Sequence, residues 1–260
     1  MQHRHKNREI YFREQAECTQ KYVIPYIEQV LPITPHLRVL EIGCGEGGNL
    51  KPFLDLGCYC VGVDIDTVQL ERAKAFYSEH PYCTKLRFIG NDINKVSPEV
   101  IGKFDLIILR DVIEHISNQE AFMRKLKCFM NINTLVFLGF PVWCNPFGGH
   151  QQICRNRWLS HTPWLHLLPN CLYKKVLQWG GETPNTIKAL LEIKETGISL
   201  HRFENILEKE QYQILIHTHY LINPNYDIKF GLRPRIIPKC LQIPILSDFY
   251  TTAMYYLIKK

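Results

Sequence analysis

The sequence predicts an α/β fold, a parallel sheet covered by helices, from three observations. Short apolar runs recur at 37–42, 59–64, 86–90, 104–109 and 134–141, each the length of a buried strand and too short for a helix. Helical patterns separate most of these runs, and strands that alternate with helices form a parallel sheet through right-handed crossovers. The 260 residues allow one core of ordinary proportions, burying about three-quarters of the unfolded surface. A single domain over 1–260 is therefore expected.

The first strand ends in the most informative stretch, Val39-Leu40-Glu41-Ile42-Gly43-Cys44-Gly45-Glu46-Gly47-Gly48-Asn49-Leu50. Glycines here let a backbone approach a ligand that a Cβ would hold off. Residues 48–57 read as a short helix, and a strand feeding a Gly-rich turn and a helix N-terminus is a nucleotide cradle. The second strand, 59–64, ends in Asp64, about 20 residues beyond the glycines, where such a unit holds a ribose diol. Asp66 reads as the N-cap of a helix over 67–78, worth about 1 kcal/mol. The third strand, 86–90, stops before Asn91-Asp92. The fourth, 104–109, leads into Arg110-Asp111-Val112-Ile113-Glu114-His115-Ile116. That segment follows a central strand's carboxyl end, where open sheets bind ligands, so Arg110 and Asp111 join the cofactor candidates. His115 is a candidate proton acceptor or positioning group. A helix near 119–130 precedes the fifth strand, 134–141. Helices follow at 183–195, closed by Gly197, and at 200–210, capped by Ser199. Strands are expected at 212–222 and 249–258.

The glycine turn with its strand-end acid resembles the first motif of class I methyltransferases that use S-adenosylmethionine. Phe104 to His115 resembles the FDxVxxxxVxEH segment of the type 11 small-molecule group, which includes ubiquinone- and menaquinone-biosynthesis enzymes. The resemblance implies a Rossmann-like, mostly parallel sheet of seven strands with the last antiparallel. It implies S-adenosylmethionine as cofactor, held by Glu41, Gly43, Gly45, Gly47 and Asp64, with Ile65 on the adenine face and Asp92 against the adenine amino group. Gly43, Gly45 and Gly48 also fit the dinucleotide pattern G-x-G-x-x-G. Glu41 favours the sulfonium cofactor, because a carboxylate there would repel a pyrophosphate. A nicotinamide reductase and a non-catalytic cofactor-binding module stay open as other classes.

All four tryptophans, Trp143, Trp158, Trp164 and Trp179, fall in 142–182 together with Pro146, Pro163, Pro169 and Gly148-Gly149. A loop this long inside a compact domain is usually a lid or binding element. The segment is expected to supply an acceptor pocket walled by indoles, or alternatively a small core of its own. His150, beside the glycine pair, is the first candidate for an acceptor-side base.

Ten cysteines lack zinc or disulfide spacing and read as reduced thiols of a cytoplasmic protein. His217-x-His219 has no third ligand in view, so no metal is expected. The N-terminus carries no apolar signal core. The net charge of +6 gathers at the two ends, in Arg4, Lys6, Arg8 and Arg13 and in Lys229, Arg233, Arg235, Lys239, Lys259 and Lys260. The near-neutral sheet segments argue against a phosphate track and a nucleic-acid partner, although a tRNA methyltransferase remains an alternative. The basic C-terminal segment with Phe230, Ile236, Leu241 and Ile245 is a candidate for peripheral membrane contact. A small apolar or aromatic acceptor is the expected substrate.

Overall fold

A computed structural model describes residues 7–260; Arg4 and Lys6 of the basic N-terminus lie outside them. One sheet organises the chain. Its strands are β1 (Arg38–Ile42), β2 (Tyr59–Asp64), β3 (Leu86–Gly90), β4 (Phe104–Arg110), β5 (Met130–Phe140), β6 (Gln213–Ile222), β7 (Arg235–Ile236) and β8 (Ala253–Lys259). They stand in the order β3-β2-β1-β4-β5-β8-β6-β7. The first five pair in parallel, and β8 inserts antiparallel between β5 and β6.

The expected count of seven becomes eight, because the two-residue β7 adds an antiparallel edge to β6. Ile236 and Arg235 are too short a run to announce a strand; pairing with Tyr220 and Ile222 makes them one. The final strand also starts later than expected, at Ala253, because Leu246–Phe249 winds into a helical turn.

Each strand alternates its side chains between two apolar layers. Leu40, Ile42, Ile107, Leu109 and Leu138 meet Phe122, Met123 and Phe203 on one face. Val39, Leu106, Ile108 and Phe137 meet Phe12, Ile27, Phe53 and Tyr255 on the other. The helices start where the side chains dictate. Asp66 accepts from the backbone of Val68 and Gln69 and so begins α2 (Thr67–Phe76). Ser199 caps α7 (Leu200–Lys209) through the Arg202 amide. Between them lie α3 (Gln119–Leu126), then α4 (Arg157–His161), α5 (Asn170–Trp179) and α6 (Pro184–Thr196).

The N-terminal helix α1 (Arg8–Cys18) widens into a π-type turn over Thr19–Val23. It lies directly on the glycine turn: a Cβ on Gly48 would come within 2.7 Å of the Phe12 carbonyl. Helix α8 (Pro224–Phe230) packs beside it. Among the described residues, no helix is long and apolar enough to cross a membrane.

The 142–182 segment folds around a small core of Cys154, Leu159, Leu165, Tyr173 and Leu177, completed by Ile187 and Leu190 of α6. The structure corrects the expectation for its tryptophans. Trp158 and Trp179 are 86% and 81% exposed and Trp164 is 43% exposed, so none of the three fills that core. Aliphatic side chains and Tyr173 fill it instead. Trp143 serves as the joint, with its indole on the His166 ring at 4.5 Å and against Gly197.

Candidate functional site

Gly43, Gly45 and Gly47 all adopt left-handed backbone, with φ of +70°, +52° and +78°. Non-glycine residues enter that region at a cost, so the turn needs glycine at three alternate positions. The turn is tied to β2: the amides of Gly43 and Cys44 donate to the Val63 carbonyl at 2.8 and 3.2 Å. The Gly45 amide donates to Asp64 Oδ2 at 2.7 Å, and the Asp66 amide to Asp64 Oδ1 at 2.9 Å. On the other side Tyr77 donates its hydroxyl to the Gly47 carbonyl at 2.6 Å. The cradle is thus held open by its own hydrogen bonds.

Glu41 is fully buried beneath this turn. Its Oε1 accepts from Asn49 Nδ2 at 2.7 Å, while Oε2 has no partner among the described residues. Burial raises the carboxyl to about 8, against the opposing pull of Asn49 and Arg110. A buried carboxylate oxygen without a partner is costly to leave. It marks a place for a cationic or hydrogen-donating ligand group.

Asn49 passes the contact on. Its Oδ1 accepts from Thr19 Oγ1 and from Arg110 Nη1, each at 2.9 Å. Arg110 also donates to Thr19 Oγ1 at 3.0 Å, to Cys18 Sγ at 2.8 Å and to Asn225 Oδ1. The guanidinium is therefore engaged by β4's neighbours on α1, its π-type turn and α8. Through Nη1 and Nη2 Arg110 thus tethers β4 to these neighbours. Asp111 follows in a left-handed turn, φ +55°, and exposes its side chain.

The remaining expected residues sit around this centre. Ile65 is 75% exposed at the tip of the β2 turn. Asp92 caps the turn after β3 by accepting from the Asn94 amide at 2.9 Å. The structure brings His115 and His150 together, with ring centroids 5.2 Å apart and edge to face. His150 holds a left-handed backbone, φ +54°, next to the glycine pair. Burial, then His115 and His166, lowers its imidazole to about 4. Burial also lowers His115, and the Asp111 carboxylate opposes that shift. Both rings are neutral at neutral pH.

Both carboxylate oxygens of Glu114 are buried without a hydrogen-bond partner among the described residues, and His115 Nε2 stands 4.0 Å from Oε1. Burial, with Asp111 adding to it, holds this carboxyl well above the usual range. Ligand atoms of Glu114, His115 and His150 lie within 4.8 Å of one another, close enough to hold a metal ion. The sequence motif contains Glu114 but gives no sign that it is isolated, since that follows from the packing around it. The His217 and His219 rings stand 5.5 Å apart on β6, and no third ligand joins them among the described residues.

A family profile described as a methyltransferase domain matches residues 12–173. The chain belongs to this methyltransferase-domain family. Its relatives include the ubiquinone biosynthesis O-methyltransferase of Pelagibacter ubique, 29% identical over 106 residues that cover 40% of this chain and 41% of the relative. The enzyme of the same name from Rhodopseudomonas palustris strain TIE-1 is 29% identical over 94 residues, 36% of each chain. The matches thus span well under half the length of these relatives. In fold, the methyltransferase-domain chain is similar to magnesium protoporphyrin IX methyltransferase from Synechocystis PCC 6803 with bound SAH, with TM-score 0.54, 17% identity, and coverage of 96% of this chain and 87% of that one. It is also similar to a plantazolicin methyltransferase in complex with a monoazolic desmethylPZN analog and SAH, with TM-score 0.54, 15% identity, and coverage of 98% and 86%.

Proposed function

We propose that this chain is an S-adenosylmethionine-dependent methyltransferase acting on a small apolar or aromatic acceptor. The observation that carries the reading is the unpartnered Glu41 Oε2 beneath three left-handed glycines. Such a cradle suits a ligand with a positive amino group and disfavours a pyrophosphate. Glu41 and the turn Gly43, Gly45 and Gly47 would hold the amino-acid part of the cofactor. Asp64 would hold the ribose: each of its oxygens accepts one backbone amide and keeps a second lone-pair direction. Ile65 and Asp92 would flank the base, and Asp111 would border the methionine end. When bound, S-adenosylmethionine supplies an electrophilic methyl group.

On the acceptor side, His115 and His150 are neutral and can take a proton. The names of the relatives favour a hydroxyl oxygen as the acceptor atom. At His115 the Asp111 carboxylate works against the burial that lowers the imidazole; His150 packs edge-on and fixes its ring. Positioning of two bound reactants can supply about 7–11 kcal/mol, and a general base about 10²–10⁴-fold. Most of the rate therefore depends on the cradle and on what holds the acceptor.

The test is calorimetric binding of S-adenosylhomocysteine to the whole chain, followed by labelled-methyl transfer to hydroxylated aromatic acceptors. Gly45→Val puts a branched side chain at φ +52° and should abolish binding. Parental affinity in that variant, or retention of a nicotinamide dinucleotide by the parent, would overturn the reading.

A further inference from the structure

The segment joining α8 to β8 has a composition that the cradle does not explain. Residues 228–247 contain Lys229, Arg233, Arg235 and Lys239 and no acidic residue. The carboxylates that flank it are already engaged: Asp227 accepts from Lys21 Nζ at 2.6 Å and Tyr22 OH at 2.7 Å, and Asp248 is buried and accepts from the Leu200 amide. Interleaved with the cations, Ile236, Leu241, Ile243, Ile245 and Leu246 are 45 to 72% exposed. Exposed aliphatic side chains clustered in one segment mark an interaction surface.

Ile245 sharpens the point. It holds φ +68° at 72% exposure. A β-branched residue at the centre of this positive-φ γ-turn, closed by the Leu246 amide donating to the Pro244 carbonyl at 2.8 Å, is a genuine outlier, and glycine would sit there with less strain. No packing in the monomer requires an isoleucine at so exposed a place.

Topology sets this segment beside the cleft. Strand β8 runs antiparallel to both β5 and β6, so β6 runs in the same direction as β5. The chain therefore leaves β6 at the carboxyl edge of the parallel strands, where the glycine turn, Asp111 and His115 also lie. Asn225, bonded to Arg110, anchors its beginning, and Asp248, bonded to the Leu200 amide, anchors its end.

We propose that residues 229–246 dock the protein on an anionic phospholipid bilayer, with the aliphatic side chains entering the interface and the cations facing the headgroups. Positive charge interleaved with aliphatic side chains matches that surface on both counts. Single-stranded nucleic acid would call for a row of aromatic stacking platforms, and the exposed groups here are isoleucine and leucine with Phe230 as the segment's single ring. Docked this way, the cleft mouth lies next to the membrane, where an apolar acceptor would partition; this last step alone rests on the proposed methyl transfer.

Co-sedimentation of the full chain with vesicles of phosphatidylcholine, with and without phosphatidylglycerol, tests the docking. The protein should pellet with the anionic vesicles and be released by salt. Combining Arg233→Gln with Arg235→Gln should weaken binding about fivefold for each cation removed. Ile245→Gly should weaken it about tenfold while leaving the melting temperature equal or higher, because glycine accepts that backbone. Equal recovery with and without phosphatidylglycerol would overturn the proposal. So would a concentration-dependent dimer that Ile245→Gly dissolves, which would assign the surface to a second copy. S-adenosylhomocysteine affinity, measured in parallel, should be unchanged in Ile245→Gly. Its absence in the parent would sink the methyltransferase reading and leave the vesicle result standing.

Discussion

The cofactor cradle and the inserted 142–182 segment are built on opposite principles. In the cradle, position is set by polar groups: Asp64 holds the Gly45 amide, Tyr77 holds Gly47, and a chain of contacts runs from Glu41 through Asn49 to Arg110 and Asn225. In the insertion, position is set by an apolar cluster of seven buried side chains contributed partly by α6, while most of its indoles face outward. A site that must receive a polar ligand keeps polar atoms buried and some of them, as Glu41 Oε2, without a hydrogen-bond partner. A segment that only has to hold its shape over a cleft can rely on packing. His115 and His150 mark where the two meet, the first on the sheet side and the second in the insertion.

That junction should show the largest effect. His115→Ala is expected to lower turnover by about 10²–10⁴-fold, the contribution of a general base, while S-adenosylhomocysteine affinity moves by no more than about twofold. Because burial lowers both imidazoles, the acid limb of the rate profile should fall below pH 6.5 in the parent, and the remaining activity of His115→Ala should lose it. A variant with parental rate would limit this residue to packing against His150.

Next in size is the insertion core. Leu177→Ala removes a fully buried side chain and should cost about 2–5 kcal/mol by denaturant unfolding. If the insertion is energetically its own unit, cofactor affinity should stay within about twofold, as for distant independent sites. A collapse of affinity would show that the two regions form one cooperative body.

Within the cradle, Asp64→Ala should weaken cofactor binding about 10- to 150-fold, the loss of hydrogen bonds to a charged group worth about 1.5–3 kcal/mol. Asp66→Ala, two residues on, should instead lower stability by about 1 kcal/mol through loss of the α2 cap. Exchange of these phenotypes between the two variants would reverse the roles of ligand and cap.

The remaining change is one of slope. Burial holds the Glu41 carboxyl at about 8 in the folded chain, against 4.5 unperturbed. Below pH 4.5 it is protonated in both states; between there and about pH 8 only the unfolded chain ionises. Stability therefore falls with rising pH in that window, by up to about 1.4 kcal/mol per unit. Glu41→Gln should flatten the decline while weakening cofactor binding. An unaltered slope would mean that Glu41 is already ionised in the free protein.

What could be read from the sequence was local. The first two strands with Glu41 and Asp64 near their ends, the Asp66 and Ser199 caps and the glycine turn all depend on residues within a few positions of one another, and the structure has each of them. What could not be read depends on distant partners. Asn225 meets Arg110 across 115 positions, so the sequence could not show that protein acceptors engage the Arg110 guanidinium. Trp158 and Trp179 carried the composition of a pocket, yet Leu159, Tyr173 and Leu177 took the interior. Glu114 was visible as part of a motif, but its isolation follows from the surrounding packing. The two-residue β7 exists only because β6 offers it an edge.

The position of β8 has a consequence for how the molecule comes into being. It is synthesised after every other strand, yet it stands inside the sheet, between β5 and β6. Until it emerges, the outer backbone of Val136 to Phe140 has no mate and is open to strand pairing with another chain. The first five strands can form on the ribosome, but they carry a sticky margin throughout translation of the insertion and of the segment joining α8 to β8. A chaperone would find its target there, and a chain cut short before Ala253 would be expected to aggregate rather than bind a cofactor weakly.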